Sequence, residues 1–393
     1  MVAPTARILQ SISEITPAAW NRCANPDAVV FDPFLSHEFL SALEDSGSAT
    51  RSTGWQPFHL LLEENDELLG VVPMYVKNHS QGEYVFDYGW ADAWQRAGHD
   101  YYPKLQVSIP FTPATGRRVL AAQCDPEIQR TLLSACVQVS EQIGVSSVHM
   151  TFMPEAQWEA AGQLGFLQRM DQQYHWHNAG YDCFDDFLAN LSSKKRKNLK
   201  RERREALADH VEIEWLTGSD LNESHWDAFY SFYVDTGMRK WGSPYLTREF
   251  FSLISERLAE HTLLIMCKRA GRYVAGALNF IGGDTLFGRN WGCIEHLPFL
   301  HFETCYYQAI DFAIQHGLKK VEAGAQGSHK VARGYLPQAT YSAHWIADPA
   351  LRRAVDEFLS EERRYVQRDI DYVEANSPFK ATVDLASIRN LSV

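Results

Sequence analysis

The feature that most constrains this chain is an internal repeat. Gly165-Phe166-Leu167 is followed ten and eleven residues later by His175-Trp176, and Gly334-Tyr335-Leu336 is followed at the same spacing by His344-Trp345. Upstream, a helical pattern over residues 128–143 stops at Gly144 and leads into the apolar run VSSVHMTF. A second helical pattern over 302–316 stops at Gly317 and leads into LKKVEAGA, with Val148 and Val321 each four residues past their glycine. Alternating runs at 59–63 and 68–75 predict a β-hairpin, matched by 263–267 and 273–281. One order of hairpin, helix, Gly, strand, helix, Gly-aromatic-Leu, strand, used twice, predicts two copies of a single α/β unit. The expected domains are 1–182 and 183–393, each a mixed sheet flanked by helices, which suits a chain of 393 residues.

The copies differ where chemistry would sit. Aligning the valines pairs His149 with Glu322, and aligning the glycines pairs Ala160, Ala161 and Leu164 with His329, Lys330 and Arg333. Residues that recur serve the fold, whereas residues found in one copy are freer to act. Residues 319–323 read as a strand, followed by a glycine-containing loop and a helical turn carrying His329, Lys330 and Arg333. Such a junction directs backbone N–H groups and side chains at one point. Glu322 is the expected general base, Lys330 or Arg333 the partner of an oxyanion or phosphate, and His329 a proton shuttle.

Two further stretches stand out. VFDYGWADAW followed by YYPK is rich in aromatics interleaved with Asp87, Asp92 and Lys104, so Asp87, Trp90, Trp94, Tyr102 and Lys104 are candidate walls of a substrate pocket. Asn290, Trp291, Tyr335, Tyr341 and His344 are candidates from the second copy. Residues 184–208 read as one long helix containing KKRKNLKRERR, with eight basic residues in eleven. Lys195, Lys197, Lys200 and Arg201 are the cations expected to meet phosphate, against the alternative of a solvated face. Residues 223–239, 247–260 and 350–373 read as further helices.

Other chemistry is excluded by what the chain lacks. The net charge is −12, so any polyanion must meet a local basic patch. Seven cysteines without CxxC spacing suggest free thiols in a reducing compartment. No phosphate loop, dinucleotide fingerprint, zinc-protease motif or nucleophile elbow occurs. His175 and His177 on one strand face read as packing, so no metal is expected. No signal-peptide pattern or bilayer-length apolar run is seen, and the expected location is cytoplasmic. Direct acyl transfer to an amine, which needs neither metal nor covalent nucleophile, fits this inventory.

FDYGWADAW, YYPKL and PFTPATGRR in the first half, with GAQGSHKVARGYLPQATYSAHWI in the second, resemble the FemAB-like family of N-acyltransferases, labelled peptidoglycan biosynthesis-like. The resemblance spans about residues 30–375. It implies two tandem GNAT-type domains and distant kinship to the Fem peptidyltransferases, which move amino acids from aminoacyl-tRNA onto cell-wall precursors. It also implies that Arg333-Gly334-Tyr335 stands where those enzymes carry a basic-aromatic element. The GNAT pattern for the coenzyme A pyrophosphate finds its nearest match in Arg289 to Ile294, with Ile294 in place of a small residue. The expected activity is N-acyl transfer from acyl-CoA or an acyl carrier protein to a small-molecule or peptide amine. Aminoacyl transfer from tRNA and a non-catalytic binding module are the alternatives.

Overall fold

The computed structural model describes residues 4–27, 29–240, 242–324 and 327–390. Ala325 and Gln326, in the loop singled out above, lie outside the described residues. The strands in chain order are β1 (Thr5–Leu9), β2 (Trp55–Pro57), β3 (His59–Glu64), β4 (Glu67–Val72), β5 (Met74–Lys77), β6 (Lys104–Val107), β7 (Leu120–Ala121), β8 (Ser147–Met153) and β9 (Leu167–His177), then β10 (Val211–Thr217), β11 (Thr262–Arg269), β12 (Arg272–Ile281), β13 (Thr285–Cys293), β14 (Lys320–Glu322) and β15 (Leu336–Ile346).

Contacts divide the chain into two compact units, but not at residue 182. Unit 1 is Met1–Gln172 with Ala339–Arg368, and unit 2 is Gln173–Gln338 with Asp369–Val393. The reason is an exchange of the repeated strands. The second half of β9 pairs with β14 in unit 2, placing Val321 opposite Trp176 and Glu322 opposite His175. Most of β15 pairs with β8 in unit 1, placing Val148 opposite Trp345 and His149 opposite His344. Each copy's Gly-aromatic-Leu strand thus closes the other copy's sheet. The register equivalences keep the alignment read from sequence.

In unit 1 the order β15-β8-β6-β5-β2 forms one sheet and β1-β3-β4-β7 another. Pro73 separates β4 from β5: it has no N–H to continue a ladder, so the chain changes sheets there. The helix Pro126–Ile143 starts at Asp125, whose side chain accepts from the Glu127 N–H, and ends at the left-handed Gly144. Its Leu132, Leu133, Cys136 and Val139 bury against Leu105, Val107, Val148 and Met150.

In unit 2 the order is β10-β11-β12-β13-β14-β9, antiparallel except for the parallel β13–β14 pair. Here β12 is continuous where β4 and β5 are split. The core packs Tyr307, Ile310 and Phe312 on Ile265, Leu286, Val321 and Trp176. The predicted helix 302–316 is interrupted: a π-helical turn, Glu303–Tyr307, lies between Leu300–Phe302 and Gln308–Gln315. The predicted helix 184–208 is also two pieces, Phe184–Ala189 and Ser193–Ala206. The break occurs because Leu191 bridges to Phe379 and the Ser192 N–H donates to the Pro378 carbonyl. Backbone groups used in that bridge are not available to a continuous helix.

Candidate functional site

Three departures from regular geometry meet at one place in unit 2. β13 and β14 pair only through Thr285–Lys320, Leu286–Val321 and Phe287–Glu322. β14 then ends, while β13 runs on to Cys293. Opposite, a bulge sets Leu278 against Asn290 and Asn279 against Gly288, which leaves Arg289 as the extra residue. The π-helical turn contributes Cys305 and Tyr306 to the same wall. Its buried Glu303 accepts from Arg203 and Gln308 on the other side. A cavity of about 120 Å³ opens between them, lined by Asn279, Asn290, Trp291, His301, Cys305, Tyr306 and Ala323. Crevices where parallel strands part are the usual ligand sites of α/β sheets.

The predicted charged quartet is only partly gathered there. His329 Nε2 and the Tyr306 hydroxyl share a hydrogen bond of 2.8 Å. Lys330 is buried, and its Nζ donates to the Gly324 carbonyl at 2.7 Å, one residue beyond Ala323. Burial pulls its pKa down to about 7, against a smaller upward pull from Cys305. Arg333 donates to Glu202 at 2.8 Å and to the His329 carbonyl at 2.7 Å, and its guanidinium lies 3.4 Å from the Phe302 ring centre. Arg333 therefore braces the turn Ser328–Arg333 and is already neutralised.

Glu322 does not border the cavity. Val321 and Ala323 face the helix side, so Glu322, between them, faces the other way. Its Oε1 is 2.7 Å from Lys320 Nζ, and its Oε2 is 3.8 Å from His175 Nε2. Glu322, expected to be the general base, is therefore paired on the opposite face of the strand from the cavity. His175, from the first copy, lies opposite Glu322 in unit 2. Burial, then the cations Lys320, Lys330 and Arg389, keep its ring neutral.

Asn290 and Trp291 line the cavity, but the other second-copy candidates do not. Tyr335 is a fully buried core ring, edge-on to Tyr306 at 5.5 Å. Its neighbour Gly334 sits at φ +86, where a Cβ would meet the Phe187 ring at 2.5 Å. The Arg-Gly-Tyr element thus shapes the core wall behind Tyr306. Tyr341 packs on Trp158 in unit 1, with ring centres 4.9 Å apart.

His344 joins the first-half candidates in a closed network in unit 1. Lys104 Nζ donates to Asp87 at 2.5 Å, Glu83 at 2.7 Å and the Ser80 hydroxyl at 2.9 Å, all of them buried. The Tyr101 hydroxyl donates to Asp87 at 2.8 Å. His149 Nδ1 and His344 Nδ1 are hydrogen-bonded at 2.7 Å. Trp90 lies edge-on to His344 at 5.0 Å, beneath the Arg169 guanidinium, which pairs with Glu362. Tyr102 bonds Ser80, and Trp94 stacks on His99 at 4.2 Å. Asp87, Glu83 and Lys104 face one another inside unit 1 instead of an open pocket, with Asp87 Oδ1 and Glu83 Oε1 left buried without a hydrogen-bond partner among the described residues, while Trp94 and Tyr102 are half-buried at the edge.

On the basic helix, Lys200 pairs with Asp185 at 2.8 Å, and Arg201 lies 3.7 Å from Glu205. Lys195 and Lys197 have no ion pair among the described residues. Just after these cations, Arg203 binds Glu303 and Asp311, and Glu202 accepts from Arg333 and from the Tyr307 hydroxyl. One face of the helix is thus structural. The sequence reading passed over Tyr306 and His301. Their signal was the aromatic run around a helix start, HLPFLHFETCYY, which resembles core packing.

The segment nearest to a coenzyme A pyrophosphate motif is accounted for by packing. Arg289 to Cys293 lies in β13, and a Cβ on Gly292 would come within 2.4 Å of the Phe232 backbone in the helix Glu223–Lys240. Gly292→Ala is expected to lower unfolding stability by about 1–3 kcal/mol through overpacking. Denaturant melts check this; unchanged stability with weakened donor binding would return the glycine to a phosphate role.

The sequence matches the FemAB-like family, described as peptidoglycan biosynthesis/recognition, over residues 11–381. No curated protein matches it at a significant level. Among solved structures, FemX is similar over 89% of this chain and 100% of its own, at 12% identity and TM-score 0.55. L-PGS from Bacillus licheniformis matches over 84% of this chain and 98% of its own, at 10% identity and TM-score 0.51. A tandem GNAT protein from the clavulanic acid biosynthesis pathway, solved without AcCoA, matches over 88% and 99%, at 11% identity and TM-score 0.47. At these identities the likeness concerns the fold, which is two tandem GNAT-like units, each a mixed sheet with flanking helices. Among the described residues, no helix is long and apolar enough to cross a membrane, and no His/Cys/Asp/Glu group could hold a metal. With 11–381 matched out of 393 residues, the chain belongs to the FemAB-like family.

Proposed function

We propose that this chain is an aminoacyltransferase that moves an amino acid from an ester donor of the aminoacyl-tRNA kind onto a primary amine. The observation that carries the reading is the cavity at the β13–β14 parting, where Asn290, His301 and Tyr306 converge beside the buried Lys330. The family's link to peptidoglycan biosynthesis favours an amine on a cell-wall peptide as acceptor. A thioester donor bearing a pyrophosphate is less favoured, because the candidate motif for it is spent on packing Gly292 against Phe232.

In the proposed step the neutral amine attacks the ester carbonyl carbon. The new C–N bond forms, the carbonyl electrons move to oxygen, and the ester C–O bond then breaks. The amine's proton leaves through the Tyr306–His329 pair, and a proton returns to the departing ribose hydroxyl. The Lys330 ammonium offsets the oxyanion in a water-poor setting, where one such charge is worth about a hundredfold or more. The arrangement requires no covalent acyl-enzyme. Cys305 lines the cavity, so Cys305→Ala should retain turnover; a trapped acyl group on Cys305 would overturn the direct route.

The deciding experiment offers the protein labelled aminoacyl-tRNAs or labelled acyl-CoAs, together with a lysine-containing cell-wall peptide. Label appearing in amide linkage from the tRNA supports the reading. Label from acyl-CoA alone would replace the donor, and transfer from neither would favour a binding module.

Exposed cations on the helix Ser193–Ala206 are the proposed meeting place for the donor's phosphates. Replacing Lys195, Lys197, Lys200 and Arg201 by Gln is expected to raise the apparent KM and flatten its dependence on salt, because fewer counterions are released. Identical salt slopes in both proteins would leave the face merely solvated.

A further inference from the structure

Beside the cavity at the parted strands lies a larger cleft of about 480 Å³, and the two share Trp291 and His301 as walls. The cleft is bounded by the end of the helix Glu223–Lys240 and by the loop that follows β13. That loop ends in Phe299, held at φ +59, a costly geometry for a bulky side chain. The strained residue turns the chain so that Leu297, Phe299 and Phe302 face the cleft with Trp291.

The charged groups on its walls are already engaged. Arg239 donates to the Cys293 carbonyl at 2.9 Å and pairs with Asp235 at 2.5 Å. Glu295 lies 3.0 Å from Arg269 and 3.2 Å from Arg272. The Thr236 hydroxyl accepts from the Cys293 N–H. A charged side chain entering here would lose water and find its would-be counterions spent. An apolar one would lose nothing and would cover aromatic surface.

We infer that this cleft is the side-chain pocket of the transferred amino acid, and that it selects a large apolar residue, aromatic or branched aliphatic, over small or charged ones. The inference rests on the aminoacyl-transfer reading above. The shared wall supplies the geometry: Trp291 and His301 meet edge to face with ring centres 5.3 Å apart, and a side chain that leaves an ester carbonyl at the parted strands and runs over this ring pair enters the cleft. The volume lies within the range of about 300–1,000 Å³ typical of ligand pockets. It leaves room for the largest natural side chain.

The test is direct binding of non-hydrolysable donors, 3′-aminoacylamino-3′-deoxyadenosines carrying glycine, alanine, leucine, phenylalanine, tryptophan or glutamate. Affinity is expected to climb from glycine to phenylalanine by about ten- to a hundredfold, the effect of burying one large apolar side chain. Glutamate should bind no better than alanine. Leu297→Trp, which fills the cleft, should flatten the series, bringing the phenylalanine and leucine compounds down toward the affinity of the glycine compound. Pro298→Trp at the exposed rim does the same job if the first variant unfolds. Equal binding of all side chains, or tighter binding of glutamate, overturns the inference and leaves the transfer reading standing. A preference that survives both tryptophan variants also overturns it, since the side chain then lies elsewhere. Failure of every compound to bind removes both.

Discussion

Lys330→Met is expected to lower kcat/KM by about a hundredfold or more while the protein remains folded. The residue is buried with one carbonyl partner among the described residues, and burial brings its pKa down to about 7, so both protonation forms are present near neutrality. If the cation is the working form, the rate should fall as pH rises through about 7. Lys330→Arg keeps its charge throughout that range and should lose this limb, even if its rate is lower. The stability effect has the opposite sense. With the folded pKa depressed below the ordinary 10.5, the unfolded chain holds the proton more tightly between about 7 and 10.5, and stability rises with pH across that window. The methionine variant lacks this slope and should melt higher than wild type near pH 7. His329→Ala, which removes the partner of Tyr306, should cut kcat more than it raises KM. Wild-type turnover in both variants would move the chemistry away from the parted strands.

Much of the fold was legible because a duplicated unit writes its grammar twice. The hairpins, the helix before Gly144 and the strand before Glu322 all stand where their periodicity and caps put them. The strand exchange was not legible. Gly165-Phe166-Leu167 and Gly334-Tyr335-Leu336 announce the same strand, and nothing in the residues says whose sheet it will close. Pairing is decided by register against Val148 or Val321, and both accept a His-Trp strand equally. The two broken helices escaped for a related reason. The 302–316 pattern is helical by composition, and the bonds that accompany its wide turn are tertiary ones the pattern does not show: Arg203 to Glu303, Tyr306 with His329, and Tyr307 to Glu202.

The site was half legible. Comparing copies singled out the turn with His329 and Lys330, whose residues have no counterpart in the other copy, and in the fold His329 bonds Tyr306 on the cavity wall. It misread Glu322, since a position at the end of a strand says nothing about which face the side chain takes. One residue of alternation separates Ala323, which lines the cavity, from Glu322, which does not. The aromatic wall around Asp87 was also misread. Its residues do come together, but as a closed network, because Lys104 and Asp87 are complementary at hydrogen-bond distance.

That network gives the largest expected stability effect in the molecule. Lys104→Met should cost about 3–5 kcal/mol, because it removes the cation bound to two buried carboxylates and leaves Glu83 with the more distant Lys77, 4.0 Å away. Against a typical total of about 5–15 kcal/mol, unit 1 of such a variant would be close to unfolding. The cost should depend on pH. Burial already raises the Glu83 pKa to about 7, with Lys104 pulling it down and Asp87 pushing it up. A carboxylate whose folded pKa exceeds its unfolded value stabilises while protonated, and that contribution is lost as pH rises through about 7. Without Lys104 the Glu83 pKa rises further and Asp87 loses its main cation, so the gap between variant and wild type should narrow from pH 8 to pH 5. Adding Asp87→Asn to Lys104→Met removes one stranded charge and should recover part of the loss. The Tyr101 hydroxyl can still donate to the amide oxygen in the double variant. Urea melts of the single and double variants at the two pH values measure all of this. A single variant as stable as wild type at pH 8 would mean that the two carboxylates are not held by Lys104, and that the wall is open enough for water or a ligand to serve them.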